Sequence, residues 1–145
     1  MADLRVSRQG KTFTIVASQT TTSSNTGTTA VFLPWITNGV YFMLDLTAQD
    51  DDNDDTLDIQ VQTSLGGFWI DVTAFSQVLG DGNPRKYLSD LIQASATQGN
   101  SNPGATVAAN QQTHLIGDSW RARWQIVDPT GSDASFTFSI IASVQ

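Results

Sequence analysis

Apolar residues at every second position recur in five separate stretches of this chain, and that period decides what it can fold into. Val40, Phe42, Leu44 and Leu46 make the first face, Leu57, Ile59 and Val61 the second, and Phe68, Ile70 and Val72 the third. Trp120, Ala122, Trp124 and Ile126 follow, then Phe136, Phe138, Ile140 and Ala142. Successive side chains of a β-strand point to opposite faces, so each stretch offers one side to a core and the other to water. The intervening residues suit the wet side: Asp58, Gln60 and Gln62; Arg121, Arg123 and Gln125; Ser135, Thr137 and Ser139. Half-buried antiparallel strands of this kind build an all-β sandwich or barrel, not a helical protein. About seven or eight core strands are expected.

At 145 residues the chain has the size of one domain that buries its core without staples. All 14 acidic residues are Asp, and Lys occurs only as Lys11 and Lys86, so strong helix formers are scarce on the surface. A net charge of −7 argues against a nucleic-acid partner, whose phosphates need a basic surface. The absence of cysteine excludes a disulfide scaffold and a thiolate metal site. There is neither a run of about 18 apolar residues nor a basic-then-apolar leader, so no membrane partner is expected and synthesis belongs to the cytoplasm.

Residues 1–29 read as an N-terminal arm and connector, with one strand over Thr12–Ala17, and residues 30–145 as the sandwich domain. The arm carries Arg5, Arg8 and Lys11 against the single acid Asp3, a basic tip on an acidic protein. Ser18–Thr29 is almost purely Ser, Thr, Asn and Gly, the composition of a loop. Asn38-Gly39, Leu65-Gly66-Gly67 and Asp128-Pro129-Thr130-Gly131 are turn signals. An edge segment is expected over Phe75–Leu79. Over Arg85–Ala96 helix competes with strand, because Tyr87, Leu88, Leu91 and Ile92 recur at helical spacing. Thr97–Thr113 is a second long polar excursion, of a length usually reserved for function or mobility.

No catalytic constellation and no cofactor site emerge. His114 is the only histidine, which removes most acid–base and metal designs. Asp45, Asp58 and Asp71 fall on expected solvent faces, which does not suit a glycosidase pair. The acidic loop Asp50–Asp55 offers a weak calcium candidate in Asp51, Asn53 and Asp55. It fails as an EF-hand, since Thr56 stands where the turn needs Gly and Gln62 where a bidentate Glu belongs. Trp120 and Trp124 share a core face. Trp69 alternates out of phase with Phe68 and Ile70, which places a large aromatic on the polar face beside Asp71 and Thr73, as at an interface or under a loop. Trp35, after Pro34, fits either core or interface.

FMLDLTAQ, DTLDIQVQTSLGGFWIDVTAFSQVLGDG and SWRARWQIVDPTGSDASFTFSI, within Phe42–Gly82 and Trp120–Ile141, carry a resemblance over roughly half the chain. They resemble small virion structural proteins of tailed bacteriophages, most of all capsid decoration, or cement, proteins. The resemblance implies a jelly-roll-like β-sandwich or barrel with an N-terminal arm, located on the capsid surface of the virion. It implies a homotrimer that binds the major capsid protein and stabilises the shell, without enzymatic activity. Arg5, Arg8, Lys11, Trp35 and Trp69 are the expected interface residues. A tail or head-tail subunit fits the same resemblance. A lectin-like module stacking host sugar on Trp35 or Trp69 is the alternative from another class.

Overall fold

The alternating stretches do become strands. The chain forms β1 (Lys11–Thr21), β2 (Asn25–Thr26), β3 (Val31–Phe32), β4 (Val40–Gln49), β5 (Thr56–Leu65), β6 (Phe68–Ala74), β7 (Val78–Leu79), β8 (Lys86–Leu88), β9 (Ser119–Val127) and β10 (Phe136–Val144). The computed structural model describes residues 11–27, 30–33, 39–50, 54–81, 86–89, 117, 119–131 and 133–144. The expectations for Asn38, His114, the 97–113 excursion and the helical spacing beyond Ser89 lie outside these residues.

Every described pairing is antiparallel, and the strands fall into two sheets. One has the order β1-β10-β4-β8; the other has β2-β9-β5-β6, with β3 also on β9 and β7 also on β5. No described pairing joins the sheets, so the architecture is a sandwich and the barrel alternative is not realised. β2 and β3 continue one another along β9, facing Trp124–Arg123 and Trp120–Ser119, with the Gly27 N–H donating to the Ala122 carbonyl at 2.8 Å between them. β6 and β7 share β5 in the same way, linked by Phe75 N–H to the Ile59 carbonyl at 3.0 Å. Counting each interrupted strand once leaves eight among the described residues, and their pairing is nested: first with last (β1·β10), second with seventh (β2/β3·β9), third with sixth (β4·β8), fourth with fifth (β5·β6).

The core lies between the sheets. β10 buries alternate residues along its length, and so does β4 from Val40 to Leu46; Phe42, Leu44, Leu46, Phe136, Phe138 and Ile140 are inaccessible or nearly so. Trp120 meets Phe42 across the gap with ring centroids 5.2 Å apart, and Trp124 meets Phe138 edge-to-face at 5.4 Å. Each such buried side chain contributes roughly 1.5–3 kcal/mol against the entropy of ordering the chain.

Several expectations are corrected. β1 extends beyond Ala17 to Thr21, and β2 pairs with β9, so much of Ser18–Thr29 is hydrogen-bonded strand. Its threonines suit a strand, and Thr20 Oγ1 meets Thr137 Oγ1 across the pair at 2.8 Å. Over Lys86–Leu88, where helix and strand compete in the sequence, strand is formed, because β4 offers an edge to pair with and Asp45 holds Lys86 Nζ at 2.6 Å. Phe68 is 76% exposed, since it sits at the hairpin tip beyond the reach of the core; Ile70 is half-buried and only Val72 of that trio is fully inside. A register shift between Val61 and Gln62 brings Thr73 opposite Val61, and a bulge of this kind buries Thr73 along with Val72.

Candidate functional site

Among the described residues, β5 is the only long strand buried on both faces, and the reason lies on its outer side. Asp58, Gln60 and Gln62, expected in water, are 2%, 1% and 7% exposed. Antiparallel register sets Gln60 beside Arg123 and Gln62 beside both Arg121 and Asp71. Arg123 Nε donates to Gln60 Oε1 at 2.5 Å and its Nη2 to Asp71 Oδ2 at 2.9 Å. Gln62 Nε2 donates to Asp71 Oδ1 at 2.8 Å and accepts at Oε1 from Arg121 Nε at 2.8 Å. Gln77 Nε2 reaches both carboxylate oxygens of Asp58 at 3.1 Å.

Trp69 closes this network. Its indole lies on the same face, half-buried, with the Arg121 guanidinium carbon 4.1 Å from the ring centroid, a cation–π stack. Burial, then the neighbouring charge of Arg123, lower the pKa of Arg121, and Asp71 opposes them; the group keeps its proton. Two cations, two carboxylates and three amides share these bonds, so the layer is balanced in charge and fixed in geometry. Such a layer stiffens and orients a surface. It brings together no nucleophile and base.

Beside it, a cleft of about 390 Å³ is lined by Asn25, Asp58, Gln60, Arg123 and Gln125. A second, of about 360 Å³, runs between the edge strands β1 and β2/β3, from Thr14–Ala17 to Gly27 and Val31. Trp124 closes off the interior between them, its indole N–H shared by Thr21 Oγ1 and the Ser23 carbonyl, each at 3.2 Å.

The opposite end of β5 is acidic. Asp128 folds the β9–β10 turn by accepting backbone N–H groups of Gly131 at 2.7 Å, Asp133 at 3.0 Å and Ala134 at 3.2 Å. Those bonds, that from Ala134 foremost, hold its carboxyl below the usual value. Asp50 Oδ2 accepts from Ser135 N at 2.5 Å, and Thr130 Oγ1 donates to Asp54 Oδ1 at 3.2 Å, so two loops are tied together. Asp55, Asp128 and Asp133 bring one carboxylate oxygen each within 4.8 Å of the others. Of the weak calcium candidates, Asp55 therefore stands beside acids from a different loop, while Asp51 and Asn53 lie outside the described residues. Three carboxylates are fewer than the six to eight oxygens calcium takes, and those of Asp128 are already engaged as a turn cap.

Among the expected interface residues, Arg5, Arg8 and Trp35 are outside the described residues, and Lys11 opens β1 on the surface opposite Val144. The polar layer escaped the sequence reading, although its signal was present: charged and amide residues at every second position in two strands. Which strand neighbours which, and in what register, is what turned them into a network. No family model matches this chain, and no curated protein or solved structure shows significant similarity to it.

Proposed function

We propose that this protein is a non-enzymatic subunit of a tailed-bacteriophage virion: a capsid decoration, or cement, protein. It binds the major capsid protein on the outer surface of the head, as a homotrimer, and stabilises the shell. The observation that carries this reading is the nested pairing of its eight described strand paths over two sheets. That is the order of a jelly roll, an architecture used by viral capsid and lectin domains. The stretches that resemble virion proteins coincide with β4 to β7, β9 and β10, the body of the sandwich.

Multivalency supplies the mechanism. A subunit that grips several shell proteins at once needs only modest individual contacts, because release requires all of them to open together. The stiff sheet with its hydrogen-bonded polar layer holds the contacting elements in fixed relation. A lectin-like role is the second reading, favoured by the cleft of about 390 Å³ with its amides, carboxylate and guanidinium, groups that pair with sugar hydroxyls.

The test is sedimentation of the purified chain with phage heads lacking decoration, followed by heating of the heads. Saturable binding and increased survival are expected. No binding to heads, together with selective retention on a glycan array, would replace the first reading by the second.

A further inference from the structure

The cleft of about 390 Å³ on the outer face of the second sheet is built across three strands. Thr26 pairs with Arg123 and Arg123 with Gln60, one row over β2, β9 and β5; Gln125 pairs with Asp58 in the next row of the same face. Two strand spacings, about 10 Å, separate β2 from β5. Arg123 leans across β5 to reach Asp71 on β6, which leaves the space over β9 open beside β2. Asn25 and Gln125 are exposed at the rim, while Asp58 and Gln60, almost wholly out of solvent, form the buried side. The Gln60 amide is only half satisfied. Its Oε1 accepts from Arg123 Nε, and its buried Nε2 has no acceptor among the described residues. An amide nitrogen left so is costly unless an acceptor is brought to it.

We infer that this cleft binds a neutral polyol, a saccharide of one or two rings, through hydroxyls of one ring. The lining itself selects neutrality. It holds one carboxylate, Asp58, and one guanidinium, Arg123, whose charge is already shared with Asp71; an anion would meet Asp58 and a cation would meet Arg123. An apolar ligand would find only Trp124, 6% exposed and with its indole N–H engaged. Asn25, Gln60 and Gln125 are amides and Thr26 a hydroxyl, so together they both donate and accept. Sugar hydroxyls do the same: Asp58 accepts from one, and Gln60 Nε2, two residues along the same strand face, donates to another. The volume lies in the range of small-ligand sites, about 300–1,000 Å³. The inference rests on the second reading above, the lectin-like one, to which it gives a site and a ligand chemistry.

NMR titration of the isotope-labelled full chain tests it, with methyl glycosides of glucose, galactose, mannose and N-acetylglucosamine, with maltose and lactose, and with any glycan that an array retains. At least one should bind saturably, with a dissociation constant of about millimolar for a single ring, and should move the signals of Asn25, Thr26 and Gln125 and the side-chain amide of Gln60. Acetate and phosphate at the same concentrations should not. Gln125→Tyr fills the cleft from an exposed strand position, and Gln60→Glu keeps an acceptor for Arg123 while removing the donor. Each should weaken binding by roughly tenfold or more, with thermal melting showing the fold intact; if Gln60→Glu fails to fold, Gln125→Tyr decides alone. No saccharide bound would overturn the inference. So would a response elsewhere on the surface, affinity that survives Gln125→Tyr in a folded protein, or a stronger response to acetate or phosphate. Glycans retained while the cleft signals stay unmoved would remove this site and leave the lectin-like reading standing, whereas an empty array with no titration response would remove both.

Discussion

Gln60 sits almost wholly out of solvent and accepts from Arg123 at 2.5 Å, whereas period-two reading of the sequence leaves it wet and expendable. Alternation assigns a residue to a face but cannot say whether that face is covered. We therefore expect Gln60→Ala to cost about 1–3 kcal/mol in chemical denaturation, by stranding a guanidinium N–H in a layer where partners are scarce. A change below a few tenths would mean the layer is not structural. Asp128 gives the pH dependence. Its carboxyl is held below 3.8 by backbone N–H donors, so the folded state favours the charged form. The resulting stabilisation is complete above the ordinary carboxylate value and is lost as pH falls through the lowered one. Unfolding of wild type and Asp128→Asn should thus differ near neutrality and converge in acid, below 3.8.

Elements defined by local chemistry were legible in the sequence. Gly66 and Gly67 take φ values of 58° and 85°, the left-handed pair that a two-residue hairpin turn requires, and no neighbouring atom would meet a Cβ at either. Backbone strain alone should then set the cost of substitution. Gly66→Asn should be nearly neutral, and Gly67→Val should destabilise by about 1–2 kcal/mol, measured by thermal melting. Gly117 differs, because a Cβ there would clash with the Ser64 carbonyl and Thr63 Oγ1, while its N–H donates to that hydroxyl at 3.0 Å. Gly117→Ala should cost more than Gly66→Ala, of the order of the 1–3 kcal/mol typical of overpacking. Elements decided by tertiary pairing were not legible. Lys86–Leu88 has helical spacing around it and is a strand because an edge of β4 lies alongside; the polar run from Ser18 reads as loop, yet β1 continues to Thr21 because β10 is long enough to pair with it.

At the scale of the molecule, the two ends of the second sheet differ in kind. Asp54, Asp55 and Asp128 lie where β5 begins and β9 ends; Phe32, Leu65, Phe68 and Trp69 lie at the other limit, the length of β5 away, about 30 Å. The fold class was legible because five alternating stretches admit few architectures, and most of the core residues among them are inside. The surface was not, since Phe32 in a two-residue strand leaves no periodic signal and the Phe32–Trp69 row exists only once four strands are in register. On the reading proposed above, this two-sheet sandwich decorates the outer surface of a phage head. The most direct test of that account is a reconstruction of phage heads carrying this chain. It predicts a two-sheet sandwich at symmetry-related positions over the outer surface of the shell, grouped in threes. Density for the chain confined to the tail, or no ordered density on the head at saturating chain, would contradict it.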